Sequence, residues 1–217
     1  QTPTDYLTAL EVAIDEDRLA HGKAPLKTKV DDTEPKERAI KISTTDPESG
    51  YLTREGKPQG FYYLDHRTVD GKHNIITDTH VTPGNVHDSK PYLSHLDRQL
   101  TAFNLYPDYV GLDAGYKTAG ICKGLEERGI EGVIGYRRPN KKEGYFAKRQ
   151  FVFDADNNQY TCPAGQLIPY NTTNRLGYRE YHSDSEQCRA CPFLDQCTRS
   201  RNRIKVVTRH VWQDSVE

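Results

Sequence analysis

The 217-residue chain has no methionine and a single tryptophan, and no apolar run approaches the ~20 residues that cross a bilayer. The residues present also lack the charged, apolar and small-residue pattern of a secretory leader. A membrane-spanning or leader-bearing reading therefore finds no support, and a soluble, cytoplasmic protein is expected. With no methionine and Gln1 as the first residue, the chain is expected to be part of a longer one. The closing residues "HVWQDSVE" carry no helix stop, which extends that expectation to the C-terminal side. Charge of one sign is not in excess overall, the net charge being -1. It is unevenly placed, however: residues 1–136 hold sixteen Lys and Arg against twenty-two Asp and Glu, and residues 137–209 hold fourteen against seven. An acidic body with a basic C-terminal part fits either a polyanion partner or a solvated basic loop.

The chain is long enough for one sizeable core with a small appended module. "TDYLTALEVAIDEDRLA" spaces its apolar residues as a helix over residues 4–20, and a charged, proline-bearing stretch follows, so residues 1–37 read as helix and linker. Three strands are then expected: "RAIKIST", running up to Asp46, then "GFYYLDHRTVD" and "HNIITDTHVTP", the last two joined through an Asp-Gly turn. "VHDSKPYLSHLDRQLTAFNL" has helical spacing. "DYVGLD" reads as a buried strand, "AGICKGLEERG" as a helix closed by Gly129, and "EGVIGY" as a final strand. The order β-β-β-α-β-α-β predicts an α/β fold with a mixed sheet and helices on it. The ribonuclease H-like fold is the best-known fold of this order; in it the first and fourth strands lie side by side, bringing Asp46 and Asp113 together. Two such carboxylates suit Mg²⁺, which takes oxygen ligands and keeps several waters. Capping of the local turns is the alternative role for each.

"ISTTDPESGY", "YYLDHRTVDGKHNIITDTHVTPGNVHDSKPY", "YVGLDAGYKT" and "VIGYRRP" together resemble the catalytic domain of DDE transposases of bacterial insertion sequences. The resemblance covers most of residues 38–139, the catalytic core. It implies an RNase H-like domain in which Asp46 and Asp113 are catalytic and hold Mg²⁺ or Mn²⁺. It also implies cleavage and strand transfer at terminal inverted repeats, a homo-oligomeric active complex with DNA, and a nucleoid-associated place in a bacterial cytoplasm. Asp88, in "TPGNVHDS", is expected to cap the next helix. The family's third acidic residue, a Glu on a late basic helix, has no counterpart here. Asp214 and Glu217 are late and acidic but lack that context, so the chain is expected to be catalytically incomplete. An RNase H-like nuclease or resolvase, and a non-catalytic DNA-binding relic, stay open as alternatives.

Residues 140–209 read as a basic, Cys-rich insertion, and residues 210–217 as the start of a truncated segment. Cys162, Cys188, Cys191 and Cys197 follow the pattern C-x25-C-x2-C-x5-C. Four thiolates suit a structural Zn²⁺, with an iron–sulfur cluster as the alternative, and the module has few apolar residues between its cysteines to hold it otherwise. Cys122 reads as a small core residue. Arg137, Arg138, Lys141, Lys142, Arg199, Arg201 and Arg203, with Lys117 after Asp113, are candidate DNA-backbone contacts; Arg189, Lys205 and Arg209 lie in the same basic region. Tyr170, Tyr178, Tyr181 and Trp212 offer either base stacking or packing. His66, His73, His80 and His87 recur every seven residues, but strand and loop geometry is expected to scatter them.

Overall fold

The computed structural model describes residues 3–27, 39–54, 56, 58–136 and 142–217. They form two compact units, one built on residues 28–136 and the other on residues 4–27 together with 137–215.

The first unit opens with a meander of β1 (Gly50–Leu52), β2 (Gly60–Val69) and β3 (Ile76–Pro83), antiparallel in that order. The β2–β3 connection is longer than a two-residue turn. Asp70 organises it: its backbone N–H donates to Ile75 O (2.8 Å) and its Oδ2 accepts from the His73 N–H (2.6 Å). Asn74 takes the left-handed conformation there, which asparagine tolerates better than most residues. Helix α2 (Tyr92–Phe103) turns Leu93, His95, Leu96 and Gln99 inward, one buried face built from the i, i+3 pairs Leu93–Leu96 and Leu96–Gln99 and the i, i+4 pair His95–Gln99, and stops at Asn104, again left-handed.

Next, β4 (Tyr109–Leu112) and β5 (Glu131–Ile134) pair in parallel, with α3 (Ala119–Glu126) as the crossover between them. Gly129 ends that crossover at φ +66°, where a side chain would be strained, and the Ile130 N–H returns to Leu125 O (3.0 Å). Leu96, Ile121, Leu125 and Ile130 form the unit's buried cluster. A β-carbon on Gly124 would stand 2.5 Å from Leu93 Cδ1, so the absence of a side chain there lets α2 and α3 approach. Arg128 then ties the helices with a two-pronged contact to Asp97, Nε to Oδ1 and Nη2 to Oδ2, both 2.6 Å.

The order β-β-β-α-β-α-β is present, with its first strand displaced. Residues 39–45 form no strand; the strand that pairs with β2 is Gly50–Leu52, after Asp46 rather than before it. The alternating Ile40 and Ile42 that suggested a strand are 73% and 58% exposed and gain no burial from being extended. Among the described residues no ladder joins β4 to the meander, so the sheet is in two parts.

The second unit is a five-stranded antiparallel meander in the order β10-β9-β8-β7-β6: β6 (Val152–Asp154), β7 (Gln159–Thr161), β8 (Leu167–Thr173), β9 (Tyr178–His182) and β10 (Val206–His210). Two short helices, α4 (Ser185–Arg189) and α5 (Leu194–Cys197), lie between β9 and β10. Phe151, Tyr160, Ile168, Tyr181 and Val207 make its core. The expectation that this region needs a metal staple is therefore corrected: inward side chains from all but the edge strand β6, with Phe151 just before it, supply a continuous apolar cluster. Helix α1 (Pro3–Ala20) belongs to this unit. It buries Leu10 and Ile14, and Arg18 Nη1 reaches Thr172 Oγ1 (2.8 Å) and Thr173 O (2.9 Å) on β8.

Candidate active site

Asp113 follows the last residue of β4 and leads into a 3₁₀ turn, Ala114–Tyr116. Its Oδ1 accepts from the Gly115 N–H at 2.7 Å, which caps the turn and fixes the carboxylate at the strand's C-terminal end. Helix α3 starts only at Ala119, capped by Thr118 Oγ1 receiving the Ile121 N–H (3.3 Å). Opposite Asp113, Gly135 passes so close that a β-carbon would meet Ala114 N at 3.0 Å.

Asp46 sits in the turn before β1. Its N–H donates to Ser43 Oγ (3.1 Å), and its carbonyl accepts from Ser49 Oγ (2.6 Å), so the backbone is pinned on both sides. Its Oδ1 accepts from Tyr63 Oη on β2 at 2.9 Å. Local desolvation and this bond to Asp46 raise the Tyr63 phenol above its ordinary range, so it remains a protonated donor near neutral pH.

These two carboxylates differ from four others in the unit. Asp65, Asp78, Asp88 and Asp97 each face an arginine: Arg67, Arg98, Arg54 and Arg128. Among the described residues no Lys or Arg pairs with Asp46 or Asp113. Each has one oxygen oriented by a neutral donor and the other, among the described residues, without a hydrogen-bond partner. Open carboxylate oxygens of this kind suit a hard divalent cation, which takes oxygen ligands.

A family model for the transposase DDE domain matches residues 39–208, which spans both aspartates and most of the second unit. The chain belongs to the transposase DDE domain family. No curated protein and no solved structure matches it.

In this transposase domain the other expected site residues have varied settings. Asp88 does not cap α2, whose N-cap is Pro91 without a side-chain bond; it pairs with Arg54 (3.0 Å) instead. Tyr116 has its phenol raised by burial first and then by the nearby charges of Asp88 and Asp113, which puts both acids in its vicinity. Asp214 and Glu217 are committed to the buried Arg209, with Glu217 Oε1 2.7 Å and Asp214 Oδ1 2.5 Å from the guanidinium. The guanidinium holds the Glu217 carboxyl below its ordinary range. Arg209 is thereby withdrawn from the candidate DNA contacts, as is Lys205, whose Nζ lies 3.2 Å from Cys197 O. Lys117, Lys142, Arg199, Arg201 and Arg203 are exposed, and Arg137, Arg138 and Lys141 lie outside the described residues.

The zinc or iron–sulfur expectation for Cys162, Cys188, Cys191 and Cys197 is not met. Among the described residues no three His, Cys, Asp or Glu side chains gather as metal ligands. The four thiols do share a neighbourhood: Cys197 has its thiol raised by burial and, beyond the opposing effect of Lys205, by the other three cysteines. Cys162 and Cys197 lean on the apolar cluster, and Cys188 Sγ donates to Ser183 Oγ (3.2 Å). Cys122 is buried in α3, as expected of a core residue. The aromatic candidates pack: Tyr170 stacks on His21, Tyr181 is fully buried, and Tyr178 and Trp212 flank His210.

Sequence reasoning missed Tyr63, which is the partner of Asp46 only because β2 returns past the Asp46 turn. It also missed a histidine group. His66 and His80 pair across β2 and β3, and His95 from α2 adds its ring 3.9 Å from His80. The seven-residue count included the first two but not the third, and antiparallel pairing rather than periodicity unites them.

Proposed function

We propose that this chain is the catalytic core of a transposase that cuts DNA and joins the freed ends to a target, with Asp46 and Asp113 as its metal-holding carboxylates. The observation that carries this reading is that both acids lie in one unit, each oriented by a neutral hydrogen-bond donor and neither neutralised by a basic side chain among the described residues. A bound Mg²⁺ would supply a Lewis acid at the scissile phosphate and lower the pKa of an attacking water. The chain's own part is to aim oxygens. Gly115 N–H holds one oxygen of Asp113 and leaves the other open, and Tyr63 does the same for Asp46.

An RNase H-like arrangement is supported by the element order and by the parallel β4-α3-β5 unit, with β4 delivering Asp113 at its C-terminal end. The natural substrate would be the terminal inverted repeats of an insertion sequence, bound with the help of the exposed Lys117, Lys142, Arg199, Arg201 and Arg203. Assembly of more than one copy on paired ends would follow from the need to process both ends together.

The test is strand cleavage of the element's own ends by the full-length transposase in Mg²⁺. Asp46→Asn and Asp113→Asn should each abolish nicking, on the order of 10³-fold or more, while leaving DNA binding measurable. A pre-cut end offered with target DNA separates joining from cleavage. Nicking at the wild-type rate by either variant would remove that aspartate from the mechanism.

A further inference from the structure

Apart from the two aspartates, the loop between α5 and β10 opens a pocket of about 370 Å³, lined by Tyr145, Leu194, Asp195 and residues 198–201 and 203. Three of its residues are arginines at alternate positions, Arg199, Arg201 and Arg203. Among the described residues none of the three has an acidic partner, whereas Arg179 and Arg209 of the same unit are both spent on carboxylates. Asp195 lines the pocket without pairing to any of them, and leaves it net positive.

The loop is fixed in place. Thr198 Oγ1 donates to Ile204 O and accepts from the Ser200 N–H, both 3.1 Å, so one hydroxyl clamps the loop's two ends. The Arg203 N–H closes a turn on Ser200 O (2.9 Å), and Arg203 itself stands at φ 55°, in the left-handed region that an unbranched cation enters only at a cost. Arg199 is docked as well. Its Nε donates to Tyr145 Oη, and its guanidinium carbon lies 4.9 Å from the Tyr145 ring centre, with Lys142 Nζ 5.0 Å from the same ring. Docking through Nε leaves the two Nη groups of Arg199 free for a two-pronged contact with an anion.

We propose that this pocket is a phosphate site that grips the sugar–phosphate backbone of duplex DNA without reading its sequence. The chemistry is charge-assisted bonding from preoriented guanidinium groups, reinforced by the Ser200 hydroxyl, to the non-bridging oxygens of a phosphodiester. It deepens the transposase reading and rests on DNA being the partner, but it does not involve Asp46 or Asp113.

The experiment measures binding of a fluorescein-labelled 20-base-pair duplex of arbitrary sequence by anisotropy, across roughly 50 to 200 mM salt. The variant is Arg199→Gln with Arg201→Gln and Arg203→Gln. A charge-matched control carries Arg149→Gln, Arg175→Gln and Lys72→Gln, three exposed cations that do not line the pocket. Loss of the pocket should reduce the slope of log K against log salt by about 2 to 3, and the control should change it by less than about 1. Tyr145→Phe keeps every charge and the ring beneath Arg199 but removes the hydroxyl that fixes its Nε, and should weaken binding by roughly threefold to tenfold; it also decides the matter should the triple variant misfold. Equal slopes for triple variant and control, or wild-type affinity for Tyr145→Phe, would overturn the pocket and leave DNA as the partner. No duplex binding by the wild-type chain at any salt would overturn both.

Discussion

Replacing Asp17 by alanine removes one of the two side chains, with Arg18, that bond α1 to its sheet. The Asp17 side chain is only 5% exposed. Its Oδ1 accepts from Arg179 Nε at 2.7 Å, and its Oδ2 accepts from Thr173 Oγ1 at 2.5 Å. Removing one partner of a buried ion pair costs about 3–5 kcal/mol, chiefly because the other charge is left uncompensated. Arg179 is 21% exposed, so water can reach it in part and the lower end of that range applies. Thr173 Oγ1 also keeps its contact with Tyr170 Oη at 2.9 Å, which spares a fully orphaned hydroxyl. The expected loss is therefore about 2–4 kcal/mol. Trp212, the sole tryptophan, lies in the same unit with Tyr6 of α1 against it, so urea melts followed by its fluorescence read this unit selectively. Asp17→Asn, which retains an acceptor for Thr173, should cost less than Asp17→Ala. A double-mutant cycle with Arg179→Ala should return a coupling of about 1–3 kcal/mol. A loss below about 1 kcal/mol with no coupling would refute the assignment of this ion pair as the clamp.

Gly84→Ala should destabilise the first unit by about 1–3 kcal/mol in a urea melt followed by far-UV dichroism, because its β-carbon would stand 2.7 Å from Tyr62 O and 2.8 Å from Gly50 O, both backbone atoms; an unchanged midpoint would contradict the tight approach of that turn to β1 and β2. His95 has its pKa held below 6.5 by burial first and then by His80, against the pull of Asp78, with Arg98 adding to the depression. The unfolded chain therefore binds the proton more readily, so this contribution is complete above about pH 6.5 and is lost as pH falls below it. Urea midpoints between pH 7.5 and 5.5 should drop for the wild type and less so for His95→Gln; identical drops would assign the acid sensitivity elsewhere.

Much of the first unit was legible from its turn and helix signals: the Asp70–Gly71 pair marks the connection between β2 and β3, α2 carries Leu93, Leu96 and Leu100 on one stripe, and Gly129 marks a stop. The first strand was misplaced because Ile40 and Ile42 alternate as a strand does, while the real β1, three residues long, is too short to show any period. Of the second unit, helix α1, the cysteines and the charge were legible, and the strands were not. Its strands mix Tyr, Thr and Arg with few aliphatics, so the core of Phe151, Tyr160, Ile168, Tyr181 and Val207 emerges only when five strands pair. The place of Asp113 after β4 could be read from the chain; that of Asp46, in the turn before β1 instead of at a strand's end, could not, nor could the donors that orient the two. Tyr63 reaches Asp46 across 17 residues, and α1 meets Thr173 across more than 150, separations at which pattern carries no signal.

The central claim is that Asp46 and Asp113 hold one divalent-metal site together. Titration of Mn²⁺ into the transposase, followed by electron paramagnetic resonance of the free ion, measures it directly. Asp46→Asn and Asp113→Asn should each weaken binding at least about tenfold, and the double variant should be little weaker than either single one, since each single change already dismantles the shared site. Mn²⁺ binding that survives both single changes, or losses that simply add, would mean that the two carboxylates act apart and that the proposed active site is wrong.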